Sequence, residues 1–180
     1  VELVSWSVGV DRMITGLAYI ALGTNIGDRE LNLRVALDTL TVNPQLEITH
    51  ISAIYETAPV GGPEQAQYLN ACAALQTKLL PTKLLLTMLE VENKMGRVRR
   101  EHWGPRVIDL DLLIYNHIFM NTPLLQLPHP RMTERDFVLI PLANIAPDLI
   151  LPGYDQSVSL LLAARPANDQ VKLYRPLGWY

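Results

Sequence analysis

Between residues 97 and 111 the sequence gathers most of what could do chemistry. Arg97, Arg99, Arg100 and Arg106 surround His102 and Trp103, and a Gly104-Pro105 turn leads on to Asp109 and Asp111. From 107 to 115 apolar residues alternate with the two aspartates, the pattern of a strand. Period-2 geometry puts Asp109, Asp111 and Leu113 on one face and Ile108, Leu110, Leu112 and Ile114 on the other. The two carboxylates then stand ~7 Å apart at their Cα atoms, pointing the same way. Carboxylates so placed repel. A hard cation such as Mg²⁺, held by one or two carboxylates plus substrate phosphates, would relieve that repulsion. Arginines just upstream could clamp the same phosphates through their planar forks. The competing reading is a solvated strand face beside a charged loop; the turn at 103–106 favours chemistry.

The elements that must position these residues follow from periodicity. Residues 17–22 read as a mostly buried strand stopped at Gly23-Thr24-Asn25. From 28 to 40, Leu33, Ala36, Leu37 and Leu40 make an i, i+3, i+4, i+7 stripe, and Asn43-Pro44 ends that helix. A second strand is expected at 48–55, and 57–63, with two prolines and two glycines, is a shaped, mobile loop. The third strand, 67–76, puts Tyr68, Asn70, Cys72 and Ala74 on one face and Leu69, Ala71, Ala73 and Leu75 on the other. Pro81-Thr82 opens a second helix whose expected stripe is Leu85, Met88, Leu89 and Glu92, with Gly96 as its stop. Glu92 prolongs an apolar face, which marks it either as a rim carboxylate or as a site residue. After the strand at 107–115, a proline-punctuated segment at 127–137 leads into Val138–Leu142, and a short apolar helix is expected at 158–164. Strand, helix, strand, strand, helix, strand is the order of the ferredoxin-like split βαβ. The expected fold is therefore an α+β sandwich of that type with a C-terminal extension.

Composition narrows the class. A chain of 180 residues, 49% hydrophobic and 18% charged, suits one globular domain. A net charge of −3 gives no general nucleic-acid surface, so the arginines act locally. Cys72 is the single cysteine, which excludes an intrachain disulfide and fits a reducing cytoplasm. No apolar run approaches the roughly 20 residues that span a bilayer. Residues 1–12 precede Met13, the expected start. Residues 1–16 are read as an N-terminal extension, native or not, and 17–180 as one domain.

Metal plus several arginines points to a polyphosphate, whereas aromatics with a side-chain amide suit a flat heterocycle held by stacking and edge pairing. No Walker A motif occurs, which removes a P-loop mechanism. The run His102-Trp103-Gly104-Pro105-Arg106-x-x-Asp109-Leu110-Asp111-Leu112-Leu113 resembles the signature of the 6-hydroxymethyl-7,8-dihydropterin pyrophosphokinase family. Pro128-His129-Pro130-Arg131-Met132-x-x-Arg135-x-Phe137 backs it.

The resemblance spans about residues 17–150. It implies transfer of pyrophosphate from ATP to the hydroxymethyl of a reduced pterin, giving AMP, in folate biosynthesis. It makes Asp109 and Asp111 ligands of two Mg²⁺ ions, and Arg97, Arg99 and Arg106 phosphate-binding and loop arginines that join them in catalysis. Glu92, Leu112, His129 and Arg135 match further ATP-side positions. Thr57, Pro59, Val60, Tyr68, Asn70, Trp103 and Phe137 match the pterin pocket, with Tyr68 and Phe137 sandwiching the ring. No side chain is assigned as general base. The chain departs from the family pattern at Leu89, Leu124 and Gln126, which bears on individual adenine and ribose contacts. The implied partners are small molecules alone, with no nucleic acid and no membrane, acting on a monomer or homodimer in the cytoplasm. Two rivals share parts of this pattern. An RNA-recognition module would lack an aromatic K/R-G-F/Y strand here, and a two-metal nucleotidyl transferase or cyclase leaves Tyr68, Asn70 and the turn at 103–106 unexplained.

Overall fold

β1 (Gly16–Thr24) turns Ala18, Ile20 and Leu22 to one face of the sheet and Tyr19 and Ala21 to the other. The computed structural model describes residues 16–59, 65–96, 105–166 and 169–180. Val60, Arg97, Arg99 and Trp103, and most of the expected loop at 57–63, lie outside the described residues. The sheet starts one residue before the expected domain boundary. Gly16 pairs with Thr77, and a Cβ there would fall 2.2 Å from the Tyr115 hydroxyl.

α1 (Arg29–Thr41) begins where Asp28, just outside it, accepts from the Leu31 N–H at 3.0 Å. Its expected stripe of Leu33, Ala36, Leu37 and Leu40 is wholly buried. The single strand expected at 48–55 is two, β2 (Leu46–Ile51) and β3 (Ile54–Thr57), both antiparallel to β4 (Tyr68–Thr77). Ser52 explains the break. Its hydroxyl accepts from the Cys72 N–H (2.9 Å) and donates to the Ala53 carbonyl (2.7 Å), so a side chain carries the ladder across the kink. β4 alternates as expected: Leu69, Ala71, Ala73 and Leu75 enter one core, and Cys72 and Ala74 the other.

α2 (Pro81–Lys94) has proline at its first turn and ends on Gly96, whose φ of 85° lets its N–H reach the Asn93 carbonyl at 3.1 Å. Its buried stripe is Leu84, Met88, Val91 and Glu92. Leu85 and Leu89, expected in that stripe, are only half-buried, because the helix is rotated so that they border open space. β5 (Asp109–Tyr115) is antiparallel to β1, with a bulge where the pairing passes from Ile114–Tyr19 to Leu112–Ile20. The extra residue, Leu113, resets the alternation. Ile114 therefore packs on the same side as Leu113, and Tyr115 on the other, correcting the expected face of Ile114.

A two-stranded ribbon, β6 (Met120–Asn121) with β7 (Gln126–Leu127), is followed by a 3-10 turn at Met132–Glu134. α3 (Asp136–Ile145) and α4 (Val158–Ala163) follow, and β8 (Lys172–Arg175) adds antiparallel to β3. The main sheet runs β5-β1-β4-β3-β8 with β2 also on β4, every pair antiparallel. β1-α1-β2 and β4-α2-β5 are thus crossovers between like-directed strands, each with one strand of the other unit inserted, which is the ferredoxin-like split βαβ. α1 and α2 cover one face; α3 and α4, from the C-terminal part, cover the other. Among the described residues no helix is long and apolar enough to cross a membrane.

Candidate active site

Strand register builds the floor. Gly23 of β1 lies opposite Asp109 of β5 on one side and Asn70 of β4 on the other; Ala21 lies likewise between Asp111 and Cys72. Small residues in the central strand keep this floor low. A Cβ on Gly23 would stand within 4 Å of Asn70, Asp109 and Tyr68. Above it opens a cavity of about 550 Å³.

One wall is aromatic and polar. Tyr68, Asn70, Thr57 and Phe137 line it, and the Asn70 amide donates to the Thr57 hydroxyl at 2.9 Å, both residues being buried. Arg106, His129, Arg131 and Arg135 form a basic side. Arg106 pairs with Asp109 at 2.5 Å, Arg135 approaches Asp111 at 3.8 Å, and the Arg135 guanidinium lies 5.6 Å from the Phe137 ring centroid. The Arg131 N–H donates to His129 Nδ1 at 3.2 Å. Beside the β5 edge the cavity meets α2 through Leu85, Leu89 and Glu92, with Leu124 nearby. The buried Glu92 carboxylate accepts from the Leu110 N–H at 2.7 Å.

The electrostatics carry a conflict. The Asp111 side chain is 37% exposed but sits in a concave floor. Its carboxyl is pushed up by loss of water and then by the Asp109 charge, which together outweigh His129, Arg135 and Arg106. Burial pulls His129 down, against the Asp111 charge that favours its protonation. Two like charges held this way fit a divalent cation. Among the described residues no third His, Cys, Asp or Glu joins them. A site of two carboxylates leaves the remaining coordination to water and phosphate oxygens, as Mg²⁺ prefers.

Of the residues singled out in the sequence, Thr57, Tyr68, Asn70, Glu92, Arg106, Asp109, Asp111, His129, Arg135 and Phe137 come together around this one cavity. Leu112 does not: its side chain is 2% exposed in the core on the opposite face of β5, as period-2 geometry requires of a residue next to Asp111. Pro59 is half-buried outside the lining. Gln65, Arg131 and Leu85 line the cavity without having been assigned to it, and so do Leu89 and Leu124, two of the departures from the family pattern tied above to nucleotide contacts. Only Arg131 stood inside a quoted motif; an apolar cavity wall has no periodicity to separate it from a core.

The family model described as "7,8-dihydro-6-hydroxymethylpterin-pyrophosphokinase (HPPK)" matches residues 19–147. The chain belongs to this family. Among HPPK relatives, the 2-amino-4-hydroxy-6-hydroxymethyldihydropteridine pyrophosphokinase of Bacillus subtilis is 49% identical over 132 residues, 73% of this chain and 79% of the relative. That of Haemophilus influenzae is 40% identical over 164 residues, 89% and 99% of the two chains. A solved Plasmodium falciparum HPPK-DHPS shares the fold, with a TM-score of 0.68 at 15% identity over 83% of this chain. This HPPK chain spans 45% of that solved chain. Membership of the HPPK family sets aside both the RNA-recognition and the cyclase alternatives.

Proposed function

We propose that this chain transfers pyrophosphate from ATP to 6-hydroxymethyl-7,8-dihydropterin in folate biosynthesis, giving AMP and the pterin diphosphate. The observation that carries this reading is the row Asp109–Gly23–Asn70 across β5, β1 and β4, in a chain 49% identical to a curated pyrophosphokinase. The row faces one cavity from which carboxylates, arginines and a ring-sized aromatic wall can all reach the same ligand pair.

Asp109 and Asp111 would hold Mg²⁺, two ions in our reading, which when bound neutralises phosphate charge and lowers the pKa of an attacking hydroxyl. Arg106 and Arg135, now turned to the carboxylates, are within reach to exchange them for phosphate oxygens. Arg97 and Arg99 are assigned the same task by the family resemblance, and Glu92 and His129 are assigned to the nucleotide side. Tyr68 and Phe137 would hold the pterin faces, and Asn70 and Thr57 its edge; the family resemblance adds Pro59, Val60 and Trp103 to the pterin-binding residues. The pterin oxygen bonds to the β-phosphorus as the bond from that phosphorus to the α,β-bridging oxygen breaks. AMP departs with the electron pair, and the hydroxyl proton goes to solvent. Holding both substrates in line is the main contribution of the side chains, together with positive charge where negative charge grows. All these groups come from one chain, so a monomer suffices. We assign the reaction to the cytoplasm; a single, buried, free thiol is compatible with a reducing compartment.

Phosphorus NMR of one reaction mixture tests the reading. AMP should appear one-to-one with consumed pterin. ADP would mean γ-phosphoryl transfer, and pyrophosphate without pterin a cyclase-like reaction; either overturns it.

A further inference from the structure

Arg29, the first residue of α1, lies outside the cavity lining, yet its side chain reaches the sheet behind the aromatic wall. Its Nη1 donates to Glu56 Oε1 at 2.8 Å and to the Gln67 carbonyl at 2.8 Å. Glu56 precedes Thr57 at the end of β3, and Gln67 precedes Tyr68 at the start of β4. Thr57 and Tyr68 are themselves partners across the two strands. Period 2 turns Glu56 to the face of Ile54, which α1 covers, so Thr57 points the other way, into the cavity. The Gln67 amide nitrogen, facing the same carboxylate, donates to Glu56 Oε2 at 2.9 Å. One nitrogen of Arg29 therefore latches the end of β3 to the start of β4. β8 backs the latch. The Arg29 and Arg175 guanidinium groups each lie 5.8 Å from the Tyr174 ring centroid, and Arg175 Nε donates to Glu30, the next residue of α1, at 3.0 Å.

We propose that Arg29 is a positioning residue for the pterin: it holds Thr57 and Tyr68 at the spacing that the ring's edge and face require, and leaves the nucleotide alone. This rests on the pyrophosphokinase reading above. Thr57 accepts from the Asn70 amide at 2.9 Å, so a shift at the end of β3 carries the Asn70 side chain with it. A ring gripped on its face by Tyr68 and on its edge by Asn70 and Thr57 loses affinity when the two strand ends drift apart. The phosphate side, around Arg106 and Arg135, is borne by other segments. With side chains 24% and 26% exposed, the Arg29–Glu56 pair adds little to stability, so its loss leaves a folded chain in which the effect on the wall can be read.

The test is steady-state kinetics of the full chain with ATP, Mg²⁺ and 6-hydroxymethyl-7,8-dihydropterin, with a melting point taken for every variant. Arg29→Met keeps the apolar stem and removes the charge. Its pterin KM should rise about fivefold, the equivalent of about 1 kcal/mol, while the ATP KM stays within about twofold. Arg29→Lys should recover most of that loss, because both bonds leave from one nitrogen. Glu56→Gln, which cuts the latch from the other side, should raise the pterin KM by itself and add little on top of Arg29→Met. A merely structural role would lower the melting point or kcat and leave the pterin KM at its parental value; that outcome in either single variant overturns the inference. An equal rise in both KM values overturns it as well. A parent that makes no AMP from ATP and pterin would instead sink the pyrophosphokinase reading beneath it.

Discussion

Arg165, one residue past the C-cap of α4, should strengthen nucleotide binding although it is absent from the cavity lining. Its Nε pairs with Asp136, the first residue of α3, while Nη1 donates to the Thr133 carbonyl at 2.9 Å and Nη2 to the Glu134 carbonyl at 3.1 Å. One guanidinium thus clamps the stretch that carries Arg135 and Phe137 into the site. The side chains of Arg165 and Asp136 are 30% and 11% exposed, so water screens the ion pair in part. Allowing roughly 1 kcal/mol for that pair and about 1 for each carbonyl bond, Arg165→Ala removes about 3 kcal/mol. At 2–4 °C per kcal/mol for a domain of this size, melting should fall by about 6–12 °C. Arg165→Lys keeps the charge but not the three-way fork and should lose roughly half as much. If about 1 kcal/mol of the loss is felt as misplacement of Arg135, the KM for ATP rises about fivefold. Scanning calorimetry without ligands, with steady-state kinetics, checks both. A melting point within a degree of the parent, or Lys and Ala variants that behave alike, would refute the clamp.

Asp109→Ala and Asp111→Ala should each lower turnover by far more than tenfold at saturating Mg²⁺ while the folded chain melts close to the parent, because both side chains sit on a half-open cavity floor. Activity within about tenfold for both would remove the metal assignment. Cys72 is fully buried, and burial pushes its thiol upward, so iodoacetamide at pH 8 should label the native chain only as fast as it unfolds. Mass spectrometry showing labelling at the rate of a free thiol would contradict this. Because the folded thiol titrates above its ordinary value of 9.0, the contribution of Cys72 to stability is complete below that value and declines as pH rises past it.

The parts of this molecule legible in its sequence are those whose pattern has one cause. β4 alternates cleanly because a separate core lies under each of its faces, and α1 shows its stripe because only one side is buried. Where two causes overlap, the pattern misleads. The break between β2 and β3 carries no glycine or proline: the Ser52 N–H still donates to the Cys72 carbonyl, and the Ser52 hydroxyl takes the Cys72 N–H. α3 hides behind a strand-like Val138-Leu139-Ile140 run and the Pro141 within the helix. In the site, the spacing of Asp109 and Asp111 told their common face, because period 2 admits no other answer so close together. Past Leu112 a bulge, invisible in residue types, moved Ile114 across the sheet. Leu85 and Leu89 look like core in any helical projection; only the tertiary neighbours reveal open space beside them. Asn25 reads as a turn residue, and its four bonds reach 40 residues or more along the chain.

The position of β5 at the end of the sheet has a consequence for solubility. Residues 108–115 are apolar apart from the two aspartates, and an outermost strand of that composition is a ready template for another chain to add to. Here the free side is occupied in two places: the Glu92 carboxylate takes the Leu110 N–H, and the His129 N–H donates to the Leu113 carbonyl at 2.8 Å. Two residues proposed to handle ATP, Glu92 and His129, therefore also occupy hydrogen-bonding groups of this strand. A chain stripped of both aspartates would expose an almost uninterrupted sticky margin, and its state of association must be known before its inactivity is ascribed to chemistry.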